Sequence, residues 1–170
     1  MTTRLLEKNP GPPVDGSKEE LVYETLDDIA AGGVALRQTP AGDVAEAVRA
    51  FHDIYEAMGD LVIQCLADEH RRPALKPRLE AGRRNHRAGV EAAFAPQLAR
   101  ASRAARARLL TILIIATDVY VWKLLRRDMA LSRTAAEAIV CRIIDGLTQQ
   151  ERANGENSLV ELVGRRKPAS

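Results

Sequence analysis

The residue types from which a metal site or nucleophilic centre could be built are few in this sequence: three histidines, His52, His70 and His86, and two cysteines, Cys65 and Cys141. A zinc site needs ligands that a helix brings together at i, i+3 or i+4, or a CxxC pair. No histidine here is so spaced from another histidine or from a cysteine, and HExxH is absent. His70 follows Asp68 and Glu69, but consecutive helical residues do not share a face. GxSxG, P-loop and GxGxxG spacings are missing as well. No nucleophile elbow or phosphate cradle is legible, so catalytic residues, a metal and a cofactor are all unexpected, and an enzyme is the weakest reading.

Two side chains stand out for another reason. His86 lies on the apolar line of its helix. There it is either a hydrogen-bonded, half-buried core residue or a polar group in a pocket wall. Asp118 falls inside the most apolar stretch of the chain, Leu109 to Ser132. An unpaired carboxylate is costly there, so it requires a hydrogen bond or ion pair across helices, or a ligand. Aromatic residues are only 4% of the chain. The bulky groups Phe51, Tyr55, Met58, Phe94, Tyr120 and Trp122 either form the core or line an apolar cavity with His86 and Asp118 as its polar contacts. Arg100, Arg103, Arg106 and Arg108, and likewise Arg83, Arg84 and Arg87, read as solvated helical faces, since no aromatic or Gly-rich element accompanies them.

The elements that must position these residues are helices. Of the 170 residues 46% are hydrophobic, Ala, Leu and Arg abound, and no run alternates with period two. The fold class is all-α. Length favours one domain burying roughly 70% of its unfolded surface. Residues 1–15 contain Pro10, Pro12 and Pro13 and read as irregular. Ser17 and Glu20 form a capping box that opens a helix to about Ala31, stopped by Gly32 and Gly33. Asp43 and Glu46 open a second. In it Val44, Val48, Phe51, Tyr55, Met58, Val62 and Cys65 step by four and three, and it spans roughly 40 Å if it reaches Glu69. Pro73 and Pro77 punctuate a short turn, and a helix with Leu79, His86, Val90 and Phe94 ends near Pro96. One long helix is expected from Ser102 to Arg127. A last helix, capped by Ser132 or Thr134, runs to Gln149 with Ala136, Ile139, Val140, Ile143, Ile144 and Leu147 on its apolar face. Residues 151–170 read as a polar tail. The Leu109–Trp122 segment is apolar on all sides and needs cover from more than one direction, which hints at a second subunit.

Asp118 and Lys123 interrupt that segment well below the ~18 residues of a transmembrane helix, and the N-terminus has no signal-peptide core. With lone cysteines, this reads as a cytoplasmic protein with reduced thiols and no membrane partner. The formal net charge of +2 gives no argument for nucleic acid.

Three segments together resemble the regulatory domain of tetracycline-repressor-type (TetR-family) transcriptional regulators. GSKEELVYETLDDIAAG (Gly16 to Gly32) is similar to the junction where the DNA-binding part ends. IYEAMGDLVIQCLADEHRRPALKPRLEAGRRNHRAGVEAAFAPQL (Ile54 to Leu98) resembles the middle of the regulatory domain, and TDVYVWKLLRRDMALSRTAAEAIVCRIIDGL (Thr117 to Leu147) its last two helices. The likeness covers residues 16–150. It implies an effector-binding and dimerisation domain in which the last two helices pack against their copies as a four-helix bundle, with Leu113, Tyr120, Leu124, Ala136, Ile139, Ile143 and Leu147 at the homodimer interface. It also implies a pocket for a small apolar effector, here assigned to Phe51, Tyr55, Met58, Val62, His86, Val90, Phe94, Asp118 and Trp122. The Ser17–Ala31 helix would be the lever to the DNA-reading part. Family members carry a three-helix DNA-binding domain before that junction. Only residues 1–15 precede it here, so the 170 residues are not expected to bind an operator by themselves. A helical small-ligand carrier or protein-interaction module without a DNA role is the alternative.

Overall fold

The computed structural model of the chain describes residues 20–27 and 40–164, the side chains of 104 and 152–164 excepted. Among the described residues every regular element is a helix. Of the expected first helix, residues 20–27 are helical and form α1; Ser17 of its capping box and its glycine stop lie outside the described residues.

α2 (Val44–Asp68) begins where the carboxylate of Asp43 accepts the Glu46 amide at 2.9 Å, which satisfies one of the orphan N–H groups of the first turn. The expected stripe of apolar residues is its inner face, with Val48, Phe51 and Cys65 buried. Before it, Gly42 adopts φ +93°, and its amide and carbonyl are held by Ala93 O at 2.8 Å and Gln97 Nε2 at 3.0 Å. A 3₁₀ turn (Pro73–Leu75) with proline at its first position leads straight into α3 (Lys76–Ala93). A short α4 (Ala95–Ala99) follows.

The expected single helix from Ser102 to Arg127 is three pieces. α5 (Arg103–Ala116) starts at Ser102, whose Oγ accepts the Ala105 amide at 3.3 Å. It stops at Thr117, and the chain restarts at Asp118 as α6 (Val119–Lys123). The cause is local. Thr117 Oγ1 donates back to Leu113 O at 2.8 Å, and Asp118, in an extended conformation, turns its carboxylate onto the Tyr120 amide at 2.9 Å. Both side chains offer the backbone an alternative to the helical ladder, the tendency that makes such residues cap formers. α6 then widens into a π turn (Leu124–Asp128) closed by Met129 N to Leu124 O at 2.9 Å, and Ala130 takes φ 52°.

α7 (Arg133–Gly164) is capped by Ser132 Oγ and continues well past Gln149. The polar composition there does not end the helix: no proline interrupts it before Pro168, and Glu151 is tied to Arg108 of α5 at 3.1 Å.

Two clusters form the core. The larger joins α2, α3, α5 and α7 through Val48, Phe51, Val90, Phe94, Leu113, Ala136, Val140 and Ile144. The smaller joins α1, the far end of α2 and the start of α3 through Leu26, Cys65, Leu75 and Leu79. No helix among the described residues is long and apolar enough to cross a membrane.

Candidate functional site

A cavity of about 240 Å³ opens between the two clusters. Leu26 comes to it from α1, Phe51, Ile54, Tyr55, Val62 and Leu66 from α2, Leu79, Gly82 and His86 from α3, and Asp118, Val119 and Tyr120 from the α5–α6 joint; Arg78, Arg83 and Asn85 stand on the α3 side. Drug-sized sites run from about 300 Å³ upward, so this one suits a smaller, fragment-sized molecule.

Its polar groups converge on one backbone carbonyl. With α5 ended at Thr117, the Thr117 carbonyl accepts from Tyr55 Oη at 3.0 Å and from His86 Nε2 at 3.2 Å. His86 Nε2 also lies 3.0 Å from Thr117 Oγ1. Because the threonine hydroxyl gives its proton to Leu113 O, the hydrogen between it and the imidazole must be on Nε2. His86 therefore presents Nδ1 as an acceptor. Burial pushes the His86 pKa down, opposed by the Asp118 charge, so the ring is neutral at physiological pH. Burial and the Asp118 charge both drive the Tyr55 phenol upward, and it stays a donor. The Phe51 ring meets His86 edge-on at 5.3 Å.

Of the residues assigned to a pocket from sequence, Phe51, Tyr55, Val62, His86 and Asp118 line the cavity. Met58, Val90, Phe94 and Trp122 do not. Val90 and Phe94 are closed into the larger core cluster. Trp122 is buried against α2 by a separate set of contacts: Nε1 donates to Glu56 Oε1 at 3.1 Å, the Arg127 guanidinium lies 4.4 Å from its ring centre, and Gly59 leaves room for the ring edge. Asp118 is also not the mid-helix carboxylate in need of an interhelical partner; it is a half-exposed helix cap. The residues missed from sequence are Leu26, Ile54, Leu66, Leu79 and the α5–α6 joint itself. Leu79 and Gly82 could have been found, since they precede His86 by seven and four positions on one helical face. Leu26 lies too far away in sequence to be read as a neighbour.

Behind the cavity a void of about 10 Å³, room for one water, touches His52, Thr117 and Trp122. The His52 ring is buried, its Nδ1 has no hydrogen-bond partner among the described residues, and burial lowers its pKa. His70 is exposed, and among the described residues no group of three His, Cys, Asp or Glu converges as a metal site. Cys65 and Cys141 are free thiols whose pKa values burial raises. Arg103, Arg106 and Arg108 lie on the solvated face of α5.

Two residues assigned to a subunit interface belong instead to the interior of the single chain: Leu113 and Ala136 are both 0% exposed. Tyr120, Leu124 and Ile143 are exposed at 55%, 49% and 41%, and Ile139 and Leu147 are half-buried. Ile115 and Met129, not foreseen, are also exposed.

No protein-family model, curated protein or solved structure matches this chain.

Proposed function

We propose that residues 16–150 form the effector-sensing and dimerising domain of a TetR-type transcriptional regulator, with DNA contact left to a separate helix-turn-helix segment. The observation that carries this reading is the position of α1 in the cavity wall. Leu26 is part of the lining, Asp27 holds Arg78 of α3 at 3.2 Å, and the Arg78 guanidinium lies 4.5 Å from the Tyr23 ring centre. In this reading α1 is the lever. A small, mostly apolar molecule in the cavity favours one seating of α1 over another and shifts the population of the DNA-binding arrangement. The exposed apolar side chains Ile115 of α5, Tyr120 of α6, Leu124 of the π turn and Ile143 of α7 support a homodimer, because large apolar side chains left in water gain from being covered.

Light scattering at micromolar concentration should give twice the mass of one chain. Ligands that raise the melting temperature should slow amide hydrogen exchange in residues 20–27. A ligand-stabilised protein whose 20–27 amides exchange unchanged would refute the lever, and a monomer that still takes up ligand would be a carrier instead.

A further inference from the structure

The charges around the cavity specify what kind of molecule it accepts, provided that the cavity is the ligand site proposed above. Both arginines in its wall are already engaged. Arg78 is paired with Asp27 at 3.2 Å and stacked on Tyr23, and Arg83 is forked onto Glu69 with contacts of 3.1 and 2.6 Å. Asp118 differs. One of its oxygens accepts the Tyr120 amide at 2.9 Å, and among the described residues no lysine or arginine is paired with it. His86 sits close enough to feel its charge, but its Nε2 is turned onto Thr117 and among the described residues it makes no ion pair with Asp118. With two arginine–carboxylate pairs cancelling, the Asp118 carboxylate is left as the negative charge without an ion-pair partner among the described residues, in a wall of Leu, Ile, Val and aromatic side chains joined by Gly82, Asn85 and His86.

We propose that the cavity takes an organic monocation, an alkyl- or arylammonium ion whose charged head lies at Asp118 and whose apolar body lies among Phe51, Tyr55 and Leu79. A neutral apolar ligand would strip water from the Asp118 carboxylate and give it no partner, which is unfavourable. An anion would have to pull Arg78 or Arg83 from its carboxylate and also approach Asp118. A cation compensates the charge, and the aromatic side chains Phe51, Tyr55 and Tyr120 in the wall add aromatic partners for it.

The test uses the whole 170-residue chain and three probes. Benzyltrimethylammonium carries a permanent charge, neopentylbenzene is its uncharged carbon isostere, and 3-phenylpropionate is an anion of similar shape. Each is titrated by calorimetry into the natural chain and into Asp118→Asn. Asparagine keeps a side-chain oxygen for the Tyr120 amide, so the helix start survives, and unchanged thermal unfolding checks this. The cation should bind at least about tenfold more tightly than its isostere, and Asp118→Asn should weaken the cation by about tenfold while leaving the isostere unaffected. A cation indifferent to Asp118→Asn, or phenylpropionate as the tightest of the three, would overturn the charge assignment and leave the cavity reading standing. Failure of all three to bind would overturn both.

Discussion

At the scale of single residues, the Thr117 carbonyl organises the site. It is freed by the end of α5 and taken by Tyr55 and His86, so the polar groups of two other helices are fixed by one break in a third. The neutral state of His86 has a thermodynamic consequence. Its folded pKa lies below the ordinary value of 6.5, so the unfolded chain takes up the proton first as the pH falls. Its contribution to stability is complete above about pH 6.5 and is lost below it. His52 has the same sign. Urea unfolding of His86→Gln should therefore show a shallower loss of stability between pH 7 and 5, and an unaltered slope would assign that loss to His52 alone. Two glycines give opposite expectations. A Cβ on Gly59 would stand 2.7 Å from Trp122 Cη2, and that ring is held by Glu56 and Arg127. Overpacking of this kind costs about 1–3 kcal/mol, more than the up to about 1 kcal/mol that alanine adds in a helix. Gly82 faces open space, so Gly82→Ala should stabilise by about 0.5–1 kcal/mol. Denaturant midpoints moving the same way for both would contradict this packing.

At the scale of elements, the α5–α6 joint and the π turn position the site. The joint depends on Asp118 as a cap: Asp118→Ala should lose about 1 kcal/mol and Asp118→Asn almost nothing, read from equilibrium unfolding. The π turn directs adjacent arginines onto α2, Arg126 onto Glu56 and Arg127 onto Asp60 at 3.0 Å. The Arg126 hydrogen bond holds the Glu56 carboxyl at about 2, below its ordinary 4.5. That stabilisation is present above pH 4.5 and lost as the pH falls towards 2. The stability gap between the natural chain and Glu56→Gln should close across that window; a gap that persists at pH 2 would contradict the pairing. Helix starts were the legible part of the sequence, because Asp43, Ser102 and Ser132 cap through their own side chains. The break at Thr117 was not, since apolar residues on both sides continue the helical pattern and only the side chains of Thr117 and Asp118 interrupt it. The end of α7 is not legible, because polar composition does not by itself stop a helix.

At the scale of the molecule, the packing is two core clusters with a cavity between them, bridged by the length of α2. This explains which site residues could be read from sequence. Phe51, Tyr55, Val62 and His86 lie on regular stripes and face inward together. Val90 and Phe94 lie on the same stripes but at the end where α3 meets α5 and the core closes. A stripe shows which side of a helix is buried, not whether its neighbours meet it or leave a gap. For the proposed dimer, Tyr120→Glu with Leu124→Glu should give a folded monomer in light scattering; a dimer that persists places the contact elsewhere. The most direct test of the site is whether the cavity can be plugged. Gly82 lines it with open space above its Cα, so Gly82→Phe should fill it without disturbing the helices. Benzyltrimethylammonium should raise the melting temperature of the natural chain and leave that of Gly82→Phe unchanged. Equal stabilisation of both proteins would contradict a ligand site in this cavity.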